Sequence, residues 1–392
     1  MLLGVTLHKN QSSKTKENIC FMIFSTKMKI IFICGSLEPG RDGVGDYTRR
    51  LACELIRQGN LIAVLALYDR SINGIIMGKQ DLEGVNIKVL RLGANESPVN
   101  RFFYAQKWIE KLNPEWLSLQ YVPFSFHNKG LPWSLAKKLK KLDAGRNWHI
   151  MFHELWIGMN KEDSIRHKIL GGVQKHIIKK TIEVLVPRII HTHTRLYRAQ
   201  LDKMGYKSER LALFGNIPKI FQSEVKSNDL INIAIFGGIH QGAKLQKWLK
   251  NLPKTSKYEF HFIGNNGPEQ ARWIEILTKN NLDHQLYGWL GIGEISNILS
   301  KCQWGITSTP YYLSEKSGST AAMLEHNLIV FCIARKWKPR NIKFKALSNG
   351  AVIKWNSNLE FESFMSNKRC ISGNNIEVIA ENFIHGLKTN QV

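Results

Sequence analysis

From Ser308 to Cys332 the sequence runs STPYYLSEKSGSTAAMLEHNLIVFC. An apolar strand ends at Pro310, a loop carries Lys316, Ser317, Gly318 and Ser319, and a helix-forming run leads to Glu325, with Asn327 as its stop. A lysine amine beside small residues with free N–H groups at a helix start is suited to a diphosphate, because the amides and the helix dipole both favour negative charge there. Glu325, two turns beyond Ser317, would face the same side and accept hydrogen bonds from a ribose diol. The plainer alternative makes Ser317 to Ser319 an ordinary helix cap and Glu325 a solvated charge.

A second stretch, CGSLEPGRDGVGDYTRRL (Cys34 to Leu51), follows the apolar run Ile30 to Ile33 and spends four glycines in eleven residues. Gly43 and Gly45 permit close backbone approach to a phosphate or another polar ligand, although a glycine turn also serves simply to connect a strand to a helix. The dinucleotide pattern GxGxxG is absent, and Asp69 is the nearest acidic residue to the end of the next strand. His153 follows another apolar run in MFHELWIG, where a histidine either packs as a satisfied structural residue or walls a site. His191 and His193 share a strand face by period-two spacing and would need a third ligand to hold a metal. None is evident, so the expectation is polar residues at a strand end, with neither metal nor cofactor.

Elements must hold these residues in place. Apolar runs read as strands at Lys29 to Cys34, Leu61 to Leu67, Ile87 to Leu92, Trp116 to Tyr121, His149 to His153 and Arg188 to Thr192. Amphipathic helices fit Asp46 to Gln58, Asn100 to Leu112, Pro132 to Leu142, Ser164 to Glu183 and Arg195 to Met204. The pattern breaks over Leu211 to Asp229, a linker by composition, and resumes with strands at Ile231 to Gly238, Glu259 to Gly267, His284 to Leu290, Trp304 to Pro310 and Leu328 to Ala334. Such alternation predicts an α/β chain of two Rossmann-like domains with parallel sheets. The divisions are an extension over 1–27, a first domain over 28–212, a linker over 213–229, a second domain over 230–372 and a C-terminal helix over 373–392 that crosses back to the first. Strand exits are where open sheets of this type collect ligands, so two in series predict a central cleft.

The 392 residues carry 55 Lys and Arg against 31 Asp and Glu, a formal charge of +24. Basic residues thicken at Lys137, Lys138, Lys140 and Lys141, and around Arg166, Lys168, Lys175, Lys179 and Lys180. They read as solvated helix faces or as a surface for anionic membrane lipid. No helix-turn-helix, zinc-ligand spacing or ribonucleoprotein motif accompanies the charge, so nucleic acid is not the expected partner. Six cysteines without a CxxC pair suit a reducing cytoplasm, and no apolar run is long enough to span a membrane. Trp133 and Trp156, beside loops, are candidates to stack on an acceptor.

Taken together, DGVGDYTRRLACELIRQGN, LQYVPFSF (Leu119 to Phe126), MFHELWIG, LFGNIP (Leu213 to Pro218) and EKSGSTAAMLEHNL resemble glycosyltransferases of the GT-B fold, close to glycosyltransferase family 4. The resemblance covers nearly everything from Met28 onward. It implies a nucleotide-sugar donor, a glycan or other hydroxyl acceptor, and retention of anomeric configuration; the basic helix faces suggest a lipid-linked acceptor. By the same resemblance Gly43 and Gly45 line the cleft, His153 contacts the donor sugar and Glu325 holds the ribose. Two positions depart from the pattern: Ser317 stands where the family carries the first glutamate of E-x7-E, and Gly238 stands where it carries an arginine. Phosphate binding is therefore expected to rest on Lys244, Lys316 and the N–H groups of Ser317, Gly318 and Ser319. A nucleotide-sugar epimerase of the same architecture and a binding protein without catalysis are the alternatives.

Overall fold

The computed structural model describes residues 27–220, 230–342, 352–358, 361, 364 and 374–390. Residues 1–26 of the upstream extension and 221–229 of the linker lie outside the described residues, as do Cys20 and Cys370. The chain builds two sheets. The first contains β1 (Lys29–Cys34), β2 (Leu61–Asp69), β3 (Ile75–Leu82), β4 (Val85–Gly93), β5 (Trp116–Tyr121), β6 (Asn147–Phe152), β7 (Ile189–Thr192) and β8 (Glu209–Arg210) in the order 3-4-2-1-5-6-7-8. The second contains β9 (Leu230–Phe236), β10 (Lys257–Ile263), β11 (Asp283–Gly288), β12 (Trp304–Thr307), β13 (Ile329–Cys332) and β14 (Val352–Lys354) in the order 11-10-9-12-13-14.

Among the named strands every described pairing is parallel except one. Strands β3 and β4 form an antiparallel hairpin around Glu83 and Gly84, both at positive φ, which matches the twist of a two-residue connection. Strand β3 is absent from the sequence expectation because it lies at the sheet edge, mostly exposed, and lacks an apolar run. In each sheet the chain order reverses beside the first strand, between β1 and β5 and between β9 and β12, and the loops leaving these strands open onto that switch point.

Helices α1 (Gly43–Arg57), α2 (Pro98–Leu112), α3 (Pro123–Phe126), α4 (Leu135–Lys140), α5 (Ile165–Leu185) and α6 (Arg195–Lys203) accompany the first sheet. Ser97, Ser164 and Thr194 cap α2, α5 and α6 by accepting from the N–H three residues on. One face of the sheet packs α2, α4, α5 and α6 through Trp108, Leu139, Ile178 and Tyr197. The other packs α1, and its remaining width is covered by the last helix of the chain. Helices α7 (Leu245–Leu249), α8 (Gln270–Lys279), α9 (Ile292–Lys301) and α10 (Gly318–Glu325) accompany the second sheet, while α11 (Ile376–Thr389) returns to the first. There Ile379, Phe383 and Leu387 join Ile30 and Phe32 in one core, with the rings of Phe32 and Phe383 at 5.6 Å. Among the described residues no helix is long and apolar enough to cross a membrane.

Candidate functional site

The glycine loop leaves β1 at the first switch point. Asp42 caps α1 by accepting from the N–H groups of Val44 and Gly45, and a Cβ at position 45 would sit 2.5 Å from the Ser36 carbonyl oxygen. Helix and loop therefore touch backbone to backbone, which only glycine allows. A Cβ at Gly43, by contrast, would meet nothing within 4 Å, so this residue presents bare backbone to open space. The loop is clasped from below by Asp69, which is fully buried and accepts from Leu37 N–H, Ser36 Oγ, Ser71 N–H and Arg91 Nε, the last at 2.7 Å. Burial alone would raise this carboxyl, but the Arg91 hydrogen bond and the other donors outweigh it and hold it below the ordinary value. Asp69 is thus a structural clasp with its oxygens committed.

His153 follows β6 and is 6% exposed. Its Nδ1 lies 3.0 Å from His193 Nε2, its Nε2 lies 2.9 Å from Gln120 Oε1, and His193 Nδ1 meets the Leu211 carbonyl at 3.0 Å. A substrate hydroxyl reaches these nitrogens only by displacing a protein partner. Tyr47 of α1 sets its ring edge-on to both histidines, at 4.8 and 5.1 Å, and stacks on Phe214 at 4.6 Å. Its phenol oxygen is buried without a hydrogen-bond partner. His191, which the spacing set beside His193, bonds His149 instead, so the two alternate residues face different neighbours along one sheet face.

The stretch after His153 is pressed against α5: Gln174 holds the Ile157 N–H, and a Cβ at Gly171 would lie 2.0 Å from the Ile157 carbonyl oxygen. This sets Glu154 towards the second sheet, where Lys316 meets it in an ion pair and also bonds Tyr197. Burial alone would lower the Lys316 amine, yet Tyr197 and Glu154 hold it well above its ordinary value. Glu315 reaches the same way, accepting from the Arg195 N–H at 2.8 Å and from Arg210 at 3.2 Å. A cavity of about 250 Å³ opens between the two sides, walled by Glu154, Trp156, His167, Tyr197, Lys316 and Trp337. Trp156 is therefore at the cleft, with Lys175 over its ring, whereas Trp133 is exposed near His176 on the outer face.

On the second sheet, Ser317 caps α10 by accepting from Thr320 N–H, and its Oγ lies 3.2 Å from that of Ser319. Ser319 is packed against Gly237, so the turn at 317–319 and the glycines leaving β9 share one floor. Gly238 contributes a carbonyl that accepts from Ser308 Oγ, and Ser308 in turn accepts from His240 N–H. Burial lowers the His240 ring, with Lys316 and Arg335 adding to it. Lys244 is exposed, its N–H bonded to the Ile333 carbonyl. Glu325 turns towards the interdomain segment, accepting the Gly215 N–H at 2.6 Å. Burial pushes its carboxyl up to about 7 against the pull of Gly215 N–H and Arg50.

The structure brings Gly45, His153, Lys316, Ser317, Gly318 and Ser319 to the facing ends of the two sheets, with Glu325 one helix length behind. Tyr47, Gln120, Glu154, His193, His240 and Arg335 were not singled out as site residues by the sequence, apart from His193 as half of a metal pair. His240 and Arg335 stood one or two residues past apolar strands, the one local signal available. Two sheets, parallel apart from the β3–β4 hairpin, meet at the carboxyl ends of their strands, each with a loop at its switch point, and this decides the architecture. The fold is GT-B.

Solved structures of this fold align along almost the whole chain. The catalytic domain of starch synthase IV from Arabidopsis thaliana, bound to ADP and acarbose, covers 93% of this chain and 99% of its own at 11% identity, with a TM-score of 0.53. A putative UDP-N-acetylglucosamine 2-epimerase from Listeria monocytogenes covers 93% and 96% at 10% identity, TM-score 0.54. A UDP-forming α,α-trehalose-phosphate synthase from Burkholderia xenovorans, with glucose-6-phosphate, covers 92% and 100% at 8% identity, TM-score 0.53. No protein-family model and no curated protein matches the sequence. At such identities GT-B scaffolds are shared by different chemistries.

Proposed function

We propose that the protein is a glycosyltransferase that moves a sugar from a nucleotide-sugar donor to a hydroxyl acceptor on a glycan or lipid-linked precursor. One observation carries this reading: the amide-rich turn at Lys316 to Ser319 stands across the cleft from His153, joined to its neighbour Glu154 by an ion pair. Departure of a nucleoside diphosphate places negative charge where the α10 N-terminus, Lys316 and Lys244 lie, and donors arranged in advance around growing charge supply the largest share of catalysis. In this reading Ser317, Gly318 and Ser319 hold the diphosphate without a metal and Glu325 holds the ribose. Gly43 and Gly45 bring backbone to the transferred sugar, and His153 walls the reacting carbon. Retention follows if the leaving phosphate accepts the acceptor proton. The neighbours bound to ADP and acarbose and to glucose-6-phosphate support donor and acceptor of these classes.

Incubation with a panel of nucleotide sugars tests it. A transferase releases free nucleotide slowly without acceptor, an epimerase interconverts the sugars, and tight binding without either reaction overturns the proposal. Catalytic loss has a specific motive in Ser317 and Gly238, which replace a carboxylate and a guanidinium of the resembled pattern.

The outer face of the first sheet supports a lipid-linked acceptor on an anionic membrane. Helices α4 and α5 pack together there, exposing Lys137, Lys141, Arg166 and Lys179 beside Trp133, Ile165 and Ile169, the last two 75% and 64% exposed. The same α5 begins next to the cavity at Trp156. Flotation with acidic liposomes at low salt, lost at high salt, is expected; no flotation at low salt removes the membrane from the proposal.

A further inference from the structure

The His153 contacts belong to a longer chain on one face of the first sheet. From Gln120 it continues to Ser118 Oγ at 2.8 Å, to His149 Nδ1 at 2.7 Å, and from His149 Nε2 to His191 Nδ1 at 3.1 Å. It ends with His191 Nε2 at 3.9 Å from the Glu209 carboxylate. Helix α11 seals it: Phe383 lies on His149, and a Cβ at Gly386 would be 3.3 Å from the His191 ring. All members except Glu209 are buried.

Proton counting along this chain is constrained at one end. The Leu211 carbonyl only accepts, so His193 carries a proton on Nδ1. In a neutral ring His193 Nε2 is then a lone pair and takes the Nδ1 proton of His153. That makes His153 Nε2 a lone pair too, yet the Gln120 carbonyl faces it. The contact closes in two ways. Either the His153–His193 pair holds a third proton and one positive charge, or the Gln120 amide turns and donates N–H to His153. Each choice propagates. With the carbonyl on His153, Gln120 donates to Ser118, Ser118 to His149 Nδ1 and His149 Nε2–H to His191, whose Nε2–H faces Glu209. With the amide turned, every donation reverses and both His149 and His191 carry their protons on Nδ1.

We propose that Gln120 is a positioning residue that ties the charge of the His153–His193 pair to the tautomers of His149 and His191, and that the pair takes up one proton when an anion enters the cleft. The second half rests on the reading of the cleft as a diphosphate site; the first half does not. Around the pair stand Tyr47 from α1, His149 and His191 from β6 and β7, Arg210 from β8 in its bond to Glu315, and Lys316 in its pair with Glu154. Burial foremost, with the neighbouring histidines and Lys316 after it, holds both rings low and neutral. An anion beside Lys316 offsets the repulsion from that amine and attracts a positive charge on the pair, which is the direction of proton uptake.

Nitrogen-15 NMR of the full-length protein labelled at histidine reads tautomer and charge ring by ring. In the free protein at neutral pH all four rings are expected in the Nδ1–H form. Acidification, or inorganic pyrophosphate at constant pH, turns one of His153 and His193 into imidazolium and switches His149 and His191 to Nε2–H in step. Gln120→Glu separates the two events. A carboxylate only accepts, so the pair should bind its proton at least about tenfold more tightly while His149 and His191 stay in the Nδ1–H form. Four rings titrating independently in the wild-type protein, which requires no variant to fold, would overturn the coupling, as would a Gln120→Glu pair that stays neutral. Coupled titration with acid but no histidine response to pyrophosphate that calorimetry shows to bind refutes the anion step alone, whereas pyrophosphate that does not bind refutes the diphosphate reading; the role of Gln120 stands in both cases.

Discussion

Glu325 links stability to pH in a direction opposite to most carboxylates. Its oxygen accepts the Gly215 N–H at 2.6 Å, and Arg50 bonds the carbonyl of the same residue, so the carboxyl sits in the seam between the two halves. Burial raises it from an ordinary 4.5 to about 7. The folded chain therefore holds a proton there through a window in which the unfolded chain has released it, and stability falls as pH rises from 4.5 to 7. The rise corresponds to roughly 3 kcal/mol in full, of which about 2.5 kcal/mol falls between pH 5 and pH 8. Glu325→Gln keeps a carbonyl oxygen for Gly215 and removes the titration. Urea unfolding of both proteins at pH 5, 6, 7 and 8, followed by tryptophan fluorescence, isolates this group because the other titrating residues cancel in the difference. The variant should gain on the wild type by about 2.5 kcal/mol across that range. Parallel pH profiles, or a wild type that gains on the variant with rising pH, would show that Glu325 is not held protonated by the fold.

At the glycine loop, Gly45→Ala forces a methyl against the Ser36 carbonyl and should cost about 1–3 kcal/mol in unfolding experiments, whereas Gly43→Ala, with open space around it, should leave the midpoint nearly unchanged. Equal effects would refute the backbone contact. Across the cleft, Glu154→Gln frees the Lys316 amine; Glu154 is 41% exposed at its side chain, so nucleoside diphosphate binding should tighten by no more than about fivefold, while Lys316→Met weakens it in the same calorimetric titration. Weaker binding by the Glu154 variant would indicate that Glu154 serves the ligand rather than competing for the lysine. Phe383→Ala empties a fully buried position between α11 and the first sheet and should lower stability by about 3–5 kcal/mol, read from thermal and denaturant unfolding. A loss under 1 kcal/mol would mean that the helix is not docked there.

Most strands were legible because burial on both faces of a parallel sheet leaves continuous apolar runs, as in Ile30 to Cys34 and Ile329 to Cys332. Strand β3 was not, since an exposed edge strand needs no such run. The turn at Lys316 to Ser319 was legible as a polar loop before a helix, and so was the strand exit at His153. Asp69 could be seen as an acidic residue near a strand end, but its commitment to Arg91 and the β1 loop depends on chain segments far apart in sequence.

By itself the amino-acid order determined where the buried strands and the amphipathic helices lie, which strand exits carry small or polar residues, and hence a two-sheet α/β chain with candidate groups at its loops. These are local properties, set by side-chain periodicity and turn chemistry within a few residues. Only the tertiary structure decided what those groups face. It turned Lys316 onto Glu154, closed His153 between Gln120 and His193, and laid α11 over His149 and His191. Hydrogen bonding and desolvation act over a few ångströms in space irrespective of distance along the chain, so the charge and proton state of each group became defined only when the sheets and their crossing helix were packed.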